Sequence, residues 1–306
     1  MVTNIRIVIS ITLVFVITFS ALAIIENQKE IFVGKEQFFL NDFSKEYTIF
    51  MVGSSQIGAI DVTQVENLVT SEKSLEIYNL VKKSDTPAKR LKDLEGIILS
   101  KPDLVLYGIS YRDFSFPHQE TTILPNPQHI MSSKIYSNFE DVIPSDPKSL
   151  TGSILTGLIF QNFQEPTTST NPFYQPPIND TSVSDSKIRS DEDLPATIWN
   201  DLAETEKNMD ALHKIISKLQ DKEIKIVIFT LPLHSYYLET LSDYQKNNFL
   251  VFKNDLKNKY NLEIYEFEGK YIELDVWRDP IHMILNKNVT IFNSDIANII
   301  NIEMES

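Results

Sequence analysis

Short runs of consecutive apolar residues recur along this chain, each closed by glycine or a polar turn, and they alternate with stretches of helical period. "YTIFMV" (47–52), "SLEIYNL" (74–80), "DLVLYG" (103–108), "IKIVIFT" (224–230) and "LEIYEF" (262–267) predict strands. Runs this short and this apolar fit strands of a parallel sheet covered on both faces, because a sheet with one wet face shows strict alternation instead. Between them the period changes. "DTPAKRLKDLEGIILS" (85–100) predicts a helix with Asp85 as its cap, Pro87 in the first turn and Leu91, Leu94 and Ile98 on one face. Further helices are expected over about 196–220, over about 236–259 and from Ser294 onward. The alternation predicts an α/β fold: a three-layer α/β/α sandwich around a parallel, flavodoxin-like five-stranded sheet of order 2-1-3-4-5.

Two stretches depart from this rhythm. From Ile7 to Ile25, "IVISITLVFVITFSALAII" holds 19 apolar or hydroxyl residues without a charge, close to the ~20 that span hydrocarbon as a helix. Arg6 precedes the run and Glu26, Lys29 and Glu30 follow it. The positive-inside bias then puts the N-terminus in the cytoplasm and the C-terminal domain outside, as a single-pass, extracytoplasmic protein of the cell membrane. A cleaved signal peptide ending near Ala21-Leu22-Ala23 is the other reading; the length of the run favours an anchor, since signal cores are usually about 7–15 residues. Residues 1–30 are therefore assigned as anchor or signal segment, and 31–306 as one domain. The second departure, 114–195, is rich in proline, serine and threonine and has no sustained period. It reads as an insertion after the third strand, either a lid or a surface excursion.

Charge and composition narrow the chemistry. With 28 Lys+Arg against 42 Asp+Glu the formal net charge is -14, which argues against nucleic acid as a partner because phosphate neutralisation needs clustered cations. The absence of cysteine removes disulfides, thiolate metal sites and thiol nucleophiles. The five histidines (His118, His129, His213, His234, His282) show no metal-ligand spacing, and neither a metal nor an organic cofactor is expected. His234, just after a strand, reads as a cleft residue or as a hydrogen-bonded loop histidine. Tyr111 and Phe114 read as packing aromatics or as a substrate platform, and the acidic runs 190–193 and 266–275 as solvated surface.

Two motifs carry nucleophilic chemistry. In "WRDPIHMIL", Asp279 stands three residues before His282, with Pro280 opposing a continuous helix. On a turn that spacing lets the carboxylate accept from Nδ1 and leaves Nε2 as a base. "FMVGSSQIG" (50–58) ends the first strand on Gly53 and sets Ser54 and Ser55 at the carboxyl edge of the sheet. That edge, beside the strand-order reversal, is where such sheets bind ligands.

At these residues the chain resembles the GDSL/SGNH hydrolases, serine esterases and related acyl-transfer enzymes. Their Gly-Asp-Ser block is matched by Gly53-Ser54-Ser55, and their Asp-x-x-His block by Asp279 and His282. In the second block, "NLVKKSDTPAKRL", Ser84 stands in the glycine place; in the third, "LVLYGISYRDF", Gly108 is kept, Ser110 replaces the asparagine, and Arg112-Asp113 follow. The resemblance covers about 45–115 and 220–303. It implies Ser55 as nucleophile, His282 as base, Asp279 as its orienter, and Ser84 and Ser110 at the oxyanion hole. The activity it implies is hydrolysis or transfer of acyl esters on envelope glycans or lipids. A catalytically inactive protein of the same fold, with a binding or structural role, is the alternative that the two substituted blocks leave open.

Overall fold

The computed structural model describes residues 45–114, 181–190, 202–285 and 290–305, together with 16, 20, 38–40, 43 and 173. The chain divides into two compact units, 1–119 with 171–306, and 120–170; the second lies wholly outside the described residues. The hydrophobic run 7–25 also lies outside them except for Val16 and Ser20, as does most of the 114–195 stretch. Among the described residues no helix is long and apolar enough to cross a membrane.

The first unit is built on a five-stranded parallel sheet. Its strands are β1 (Tyr47–Gly53), β2 (Leu75–Val81), β3 (Leu104–Ile109), β4 (Lys225–Thr230) and β5 (Ile264–Tyr265), in the order β2-β1-β3-β4-β5. Successive side chains of a strand point to opposite faces, and here both sets are buried. Phe50, Val52, Val105, Tyr107, Ile226 and Ile228 enter one core, while Ile49, Met51, Leu104, Leu106, Val227 and Phe229 enter the other. Unbroken apolar runs in the chain are the direct consequence.

Helices cover each face. Numbered along the chain these are α1 (Val62–Leu68), α2 (Pro87–Arg90), α3 (Leu94–Ser100), α4 (Tyr111–Phe114), α5 (Asp185–Arg189), α6 (Leu202–Gln220), α7 (Ser235–Thr240), α8 (Asp243–Tyr260) and α9 (Ile291–Glu305). Leu212, Ile215, Ile216 and Leu219 of α6, with Phe249, Phe252 and Leu256 of α8, close the first core. Their spacing of three and four residues puts each set on one helical stripe. Phe292, Ile296, Ile299 and Ile300 of α9 close the second core.

Several boundaries differ from the sequence reading, each for a polar reason. The helix expected over 85–100 is two helices. Thr86, not Asp85, caps α2, accepting from the Lys89 N–H, and Asp85 is buried against Arg90 instead, with Nε donating to Oδ2 at 2.7 Å. The 236–259 helix is likewise two, because Ser242 starts α8 with a capping box in which the Gln245 side chain answers the Ser242 N–H. The last helix begins at Ile291, three residues before Ser294. β5 is only two residues long, since Thr230 Oγ1 takes the N–H groups of Phe267 (2.6 Å) and Glu268 (3.2 Å) and draws the chain off the sheet edge. The 266–275 run is not simply solvated surface, because Glu266 and Glu268 both pair with the buried Lys253 ammonium.

Candidate active site

β1 ends on Gly53 and passes into a short 3₁₀ turn, Ser55–Ala59, that crosses the carboxyl edge of the sheet. Two glycines make the crossing possible. A Cβ on Gly53 would lie 2.9 Å from Ile57 Cγ2, and one on Gly108, at the end of β3, would meet the same methyl at 2.9 Å. Both distances are shorter than real Cβ contacts, so the glycines are there for close approach. Ile57, fully buried between them, pins the turn and thereby places Ser55.

Asp279 and His282 sit on a hairpin that the sequence reading did not foresee. β6 (Trp277–Asp279) and β7 (His282–Met283) pair antiparallel around Pro280 and Ile281, with Asp279 opposite His282. Trp277 and Met283 bury themselves with Ile57 and Phe292 in the second core, which seats the hairpin against the 3₁₀ turn. Asp279 Oδ1 accepts the N–H groups of Ile281 (3.0 Å) and His282 (2.9 Å). Pro280, between Asp279 and Ile281, has no N–H to offer, so the turn leaves no donor unanswered on that side.

The fold brings Ser55, His282 and Asp279 into one hydrogen-bonded line. His282 Nδ1 lies 2.9 Å from each Asp279 carboxylate oxygen, and Nε2 lies 2.8 Å from Ser55 Oγ. A carboxylate can only accept, so Nδ1 donates to it, which leaves Nε2 as the nitrogen able to accept from the Ser55 hydroxyl. Burial by itself raises the Asp279 carboxyl; the hydrogen bond and charge of His282, then the Ile281 N–H and Arg278, outweigh it and hold the group below its ordinary value. Ser54, the neighbouring hydroxyl, points elsewhere, 3.4 Å from Gln56 Oε1.

The other two sequence-predicted residues are placed differently. Ser110 is buried, its hydroxyl donates to Gln56 Oε1 at 3.0 Å, and its N–H donates to Asp113 Oδ2 at 2.6 Å. Both donors are thus engaged within the protein. Asp113 itself is pushed up to about 7 by burial, against the pull of that N–H. Ser84 is exposed, with φ 53, and its carbonyl accepts from Lys89 Nζ at 3.0 Å. Among the described residues it shares no hydrogen bond with Ser55, His282 or Asp279.

Beneath the turn lies a buried ion pair. The Arg90 guanidinium, with no exposure, reaches Asp85 Oδ2 at 2.6 Å and donates to the carbonyls of Gly53 (3.2 Å) and Leu80 (2.9 Å). It ties together the carboxyl ends of β1 and β2, two residues before Ser55. Sequence reasoning missed both this arginine and Gln56; an arginine at a helix end and a glutamine after a serine carry no signal of burial.

Of the remaining candidates, His234, Tyr111 and Phe114 make packing and capping contacts. His234 caps α7, accepting the Tyr236 N–H on Nδ1 at 3.1 Å; it stacks edge-on against Trp277, and burial lowers its pKa. Tyr111 and Phe114 pack against Phe249. His118 and His129 lie outside the described residues. Among the described residues no group of histidines and carboxylates could hold a metal ion.

No family model and no curated protein matches this chain. Among solved structures it aligns with an acetyl xylan esterase, AlAXEase, at 13% identity and a TM-score of 0.40, over 82% of this chain and 96% of that one. What the chain does is therefore read from the site's own geometry.

Proposed function

We propose that this protein is a serine hydrolase of SGNH type that hydrolyses or transfers acyl esters. One observation carries the reading: Ser55 Oγ stands 2.8 Å from His282 Nε2, and the far side of the same ring is held by Asp279 at 2.9 Å. A serine hydroxyl is a weak nucleophile until an adjacent base takes its proton, and that base must be neutral and oriented. Asp279 supplies the orientation here.

In the first step Ser55 Oγ adds to the ester carbonyl carbon while its proton passes to Nε2. The negative charge then developing on the carbonyl oxygen needs donors in place beforehand. Ser55 opens the 3₁₀ turn, where the first backbone N–H groups have no intrahelical acceptor, and its N–H is the nearest one. Ser84 is proposed to supply a second N–H. It stands where the resembled family has glycine, and its φ of 53 is the left-handed conformation that glycine adopts freely. Ser110 contributes only if its hydroxyl leaves Gln56. Collapse expels the alcohol, which takes the proton from Nε2; water or a sugar hydroxyl, deprotonated by the same nitrogen, then attacks the acyl-serine and frees Ser55.

Labelling with a fluorophosphonate tests the reading, because only an activated serine reacts. Wild-type protein should be labelled on Ser55. Since Asp279 keeps its charge to below the ordinary carboxylate range, the rate of labelling should fall on the acid side with a slope of one. A slope of two would mean that Asp279 titrates with the base. One observation favours the non-catalytic reading, namely that both Ser110 donors are spent inside the protein, and absence of labelling at any pH would decide for it.

The same proposal sets the domain outside the membrane, tethered by residues 7–25 and acting on envelope glycans or lipids. Its support is the length of that run and Arg6 before it. Intact-mass measurement on the membrane fraction should find the N-terminus retained; a chain beginning near Ile24 would remove the tether.

A further inference from the structure

Gln56 follows the candidate nucleophile in sequence and is 5% exposed. Its carboxamide reaches a hairpin 225 residues further along the chain. Nε2 donates to the carbonyl of Ile281 at 3.0 Å, in the two-residue tip between Asp279 and His282. Oε1 accepts the Ser110 hydroxyl at 3.0 Å and faces the Ser54 hydroxyl at 3.4 Å. The amide has only one workable orientation: a backbone carbonyl can only accept, so the NH₂ must face Ile281, and the oxygen is left for the two hydroxyls. The Ile281 carbonyl thus fixes which way the amide points, and Ser110, itself anchored through its N–H on Asp113, donates to the oxygen on the other side.

We infer that Gln56 is a positioning residue that locks the hairpin bearing His282 and Asp279 onto the turn bearing Ser55, with Ser110 as the donor that holds its amide oxygen. Ser55 meets His282 through a single contact between two part-buried side chains, and the hairpin holding the imidazole is short. Trp277 and Met283 seat the base of the hairpin in the core, and the Pro280 carbonyl accepts the His234 N–H at 3.1 Å, but neither contact reaches the residues that flank Ser55. The Gln56–Ile281 bond does, one residue from each partner. The inference also gives Ser110 a use that the oxyanion assignment does not, and it rests on the serine-hydrolase reading only for its kinetic consequence.

The test uses the full chain and three variants, Gln56→Met, Gln56→Glu and Gln56→Met with Ser110→Ala. Methionine keeps the length and loses every hydrogen bond; glutamate keeps the volume and, as a carboxylate, has no donor for Ile281. Misplacement by about 1 Å can cost ~10²-fold in rate, so either single variant should cut the maximal rate of fluorophosphonate inactivation by about 10- to 100-fold. The concentration giving half-maximal rate should stay within about twofold, since positioning acts on the step and not on binding. Adding Ser110→Ala to Gln56→Met should cost almost nothing more, because Ser110 acts through the amide. Wild-type rates in both single variants would overturn the inference, as would a double variant tenfold or more slower than Gln56→Met alone. If the wild-type protein is not labelled at all, the hydrolase reading fails, and the tie is then read from the low-field proton resonance of the His282–Asp279 hydrogen bond. Its loss or broadening in folded Gln56→Met supports the tie, and an unchanged resonance overturns it.

Discussion

Ser55→Ala should abolish fluorophosphonate labelling and lower turnover of any ester substrate by roughly 10⁴- to 10⁶-fold, with Ser54→Ala retaining most of both. The loss is large because alanine removes the atom that becomes covalently bound, leaving only binding and oxyanion stabilisation. The contrast with Ser54 follows from geometry: His282 Nε2 is 2.8 Å from Ser55 Oγ, whereas Ser54 Oγ faces Gln56. Once the nucleophile is gone the base has nothing to activate, so His282→Ala on top of Ser55→Ala should change turnover little. Asp279→Asn is a sharper probe of the ring. An asparagine at that place can present its NH₂ to Nδ1 and stabilise the wrong tautomer, with a protonated Nε2 that cannot accept; a fall of about 10⁴-fold is the expected scale. Full activity in Ser55→Ala, or equal losses at Ser54 and Ser55, would remove Ser55 from the mechanism.

Arg90→Met should destabilise the domain by about 3–5 kcal/mol, the scale for removing one partner of a fully buried ion pair. Asp85 would then keep a carboxyl that is 4% exposed, without the guanidinium that now reaches it at 2.6 Å. The carbonyls of Gly53 and Leu80 would lose a donor at the same time. Much of this cost is the stranded carboxylate and not the intrinsic worth of the pair, so a second change should recover part of it. The double variant Arg90→Met with Asp85→Leu is expected to regain stability over Arg90→Met alone, measured as the urea midpoint at unchanged slope. A double variant no more stable than the single would mean that the carbonyl contacts, not Asp85, are what Arg90 is buried for.

The five strands were legible because burial on both faces is written into consecutive residues. A run such as Ile49-Phe50-Met51-Val52 has no other use in a parallel sheet. The local half of the site was legible for a similar reason: Asp279 and His282 are three residues apart, and a turn alone brings them together. Helix breaks were harder to see. Asp85 looked like a cap, and only its burial against Arg90 shows otherwise, although the Ser242–Gln245 capping box was present in the sequence and went unread.

By itself, then, the sequence determined the sheet, its alternation with helices, and a short list of residues able to do nucleophilic chemistry, because propensity, period and turn chemistry act over a few neighbours. The resemblance named Ser55, but the tertiary structure alone shows its hydroxyl against the imidazole, the Ser110 hydroxyl spent on Gln56, and Arg90 on the carbonyl that ends β1. Those contacts join residues 227, 54 and 37 positions apart. A hydrogen bond of that kind depends on where the crossovers bring the strand ends and on which side chains lose water there, and no local pattern records either.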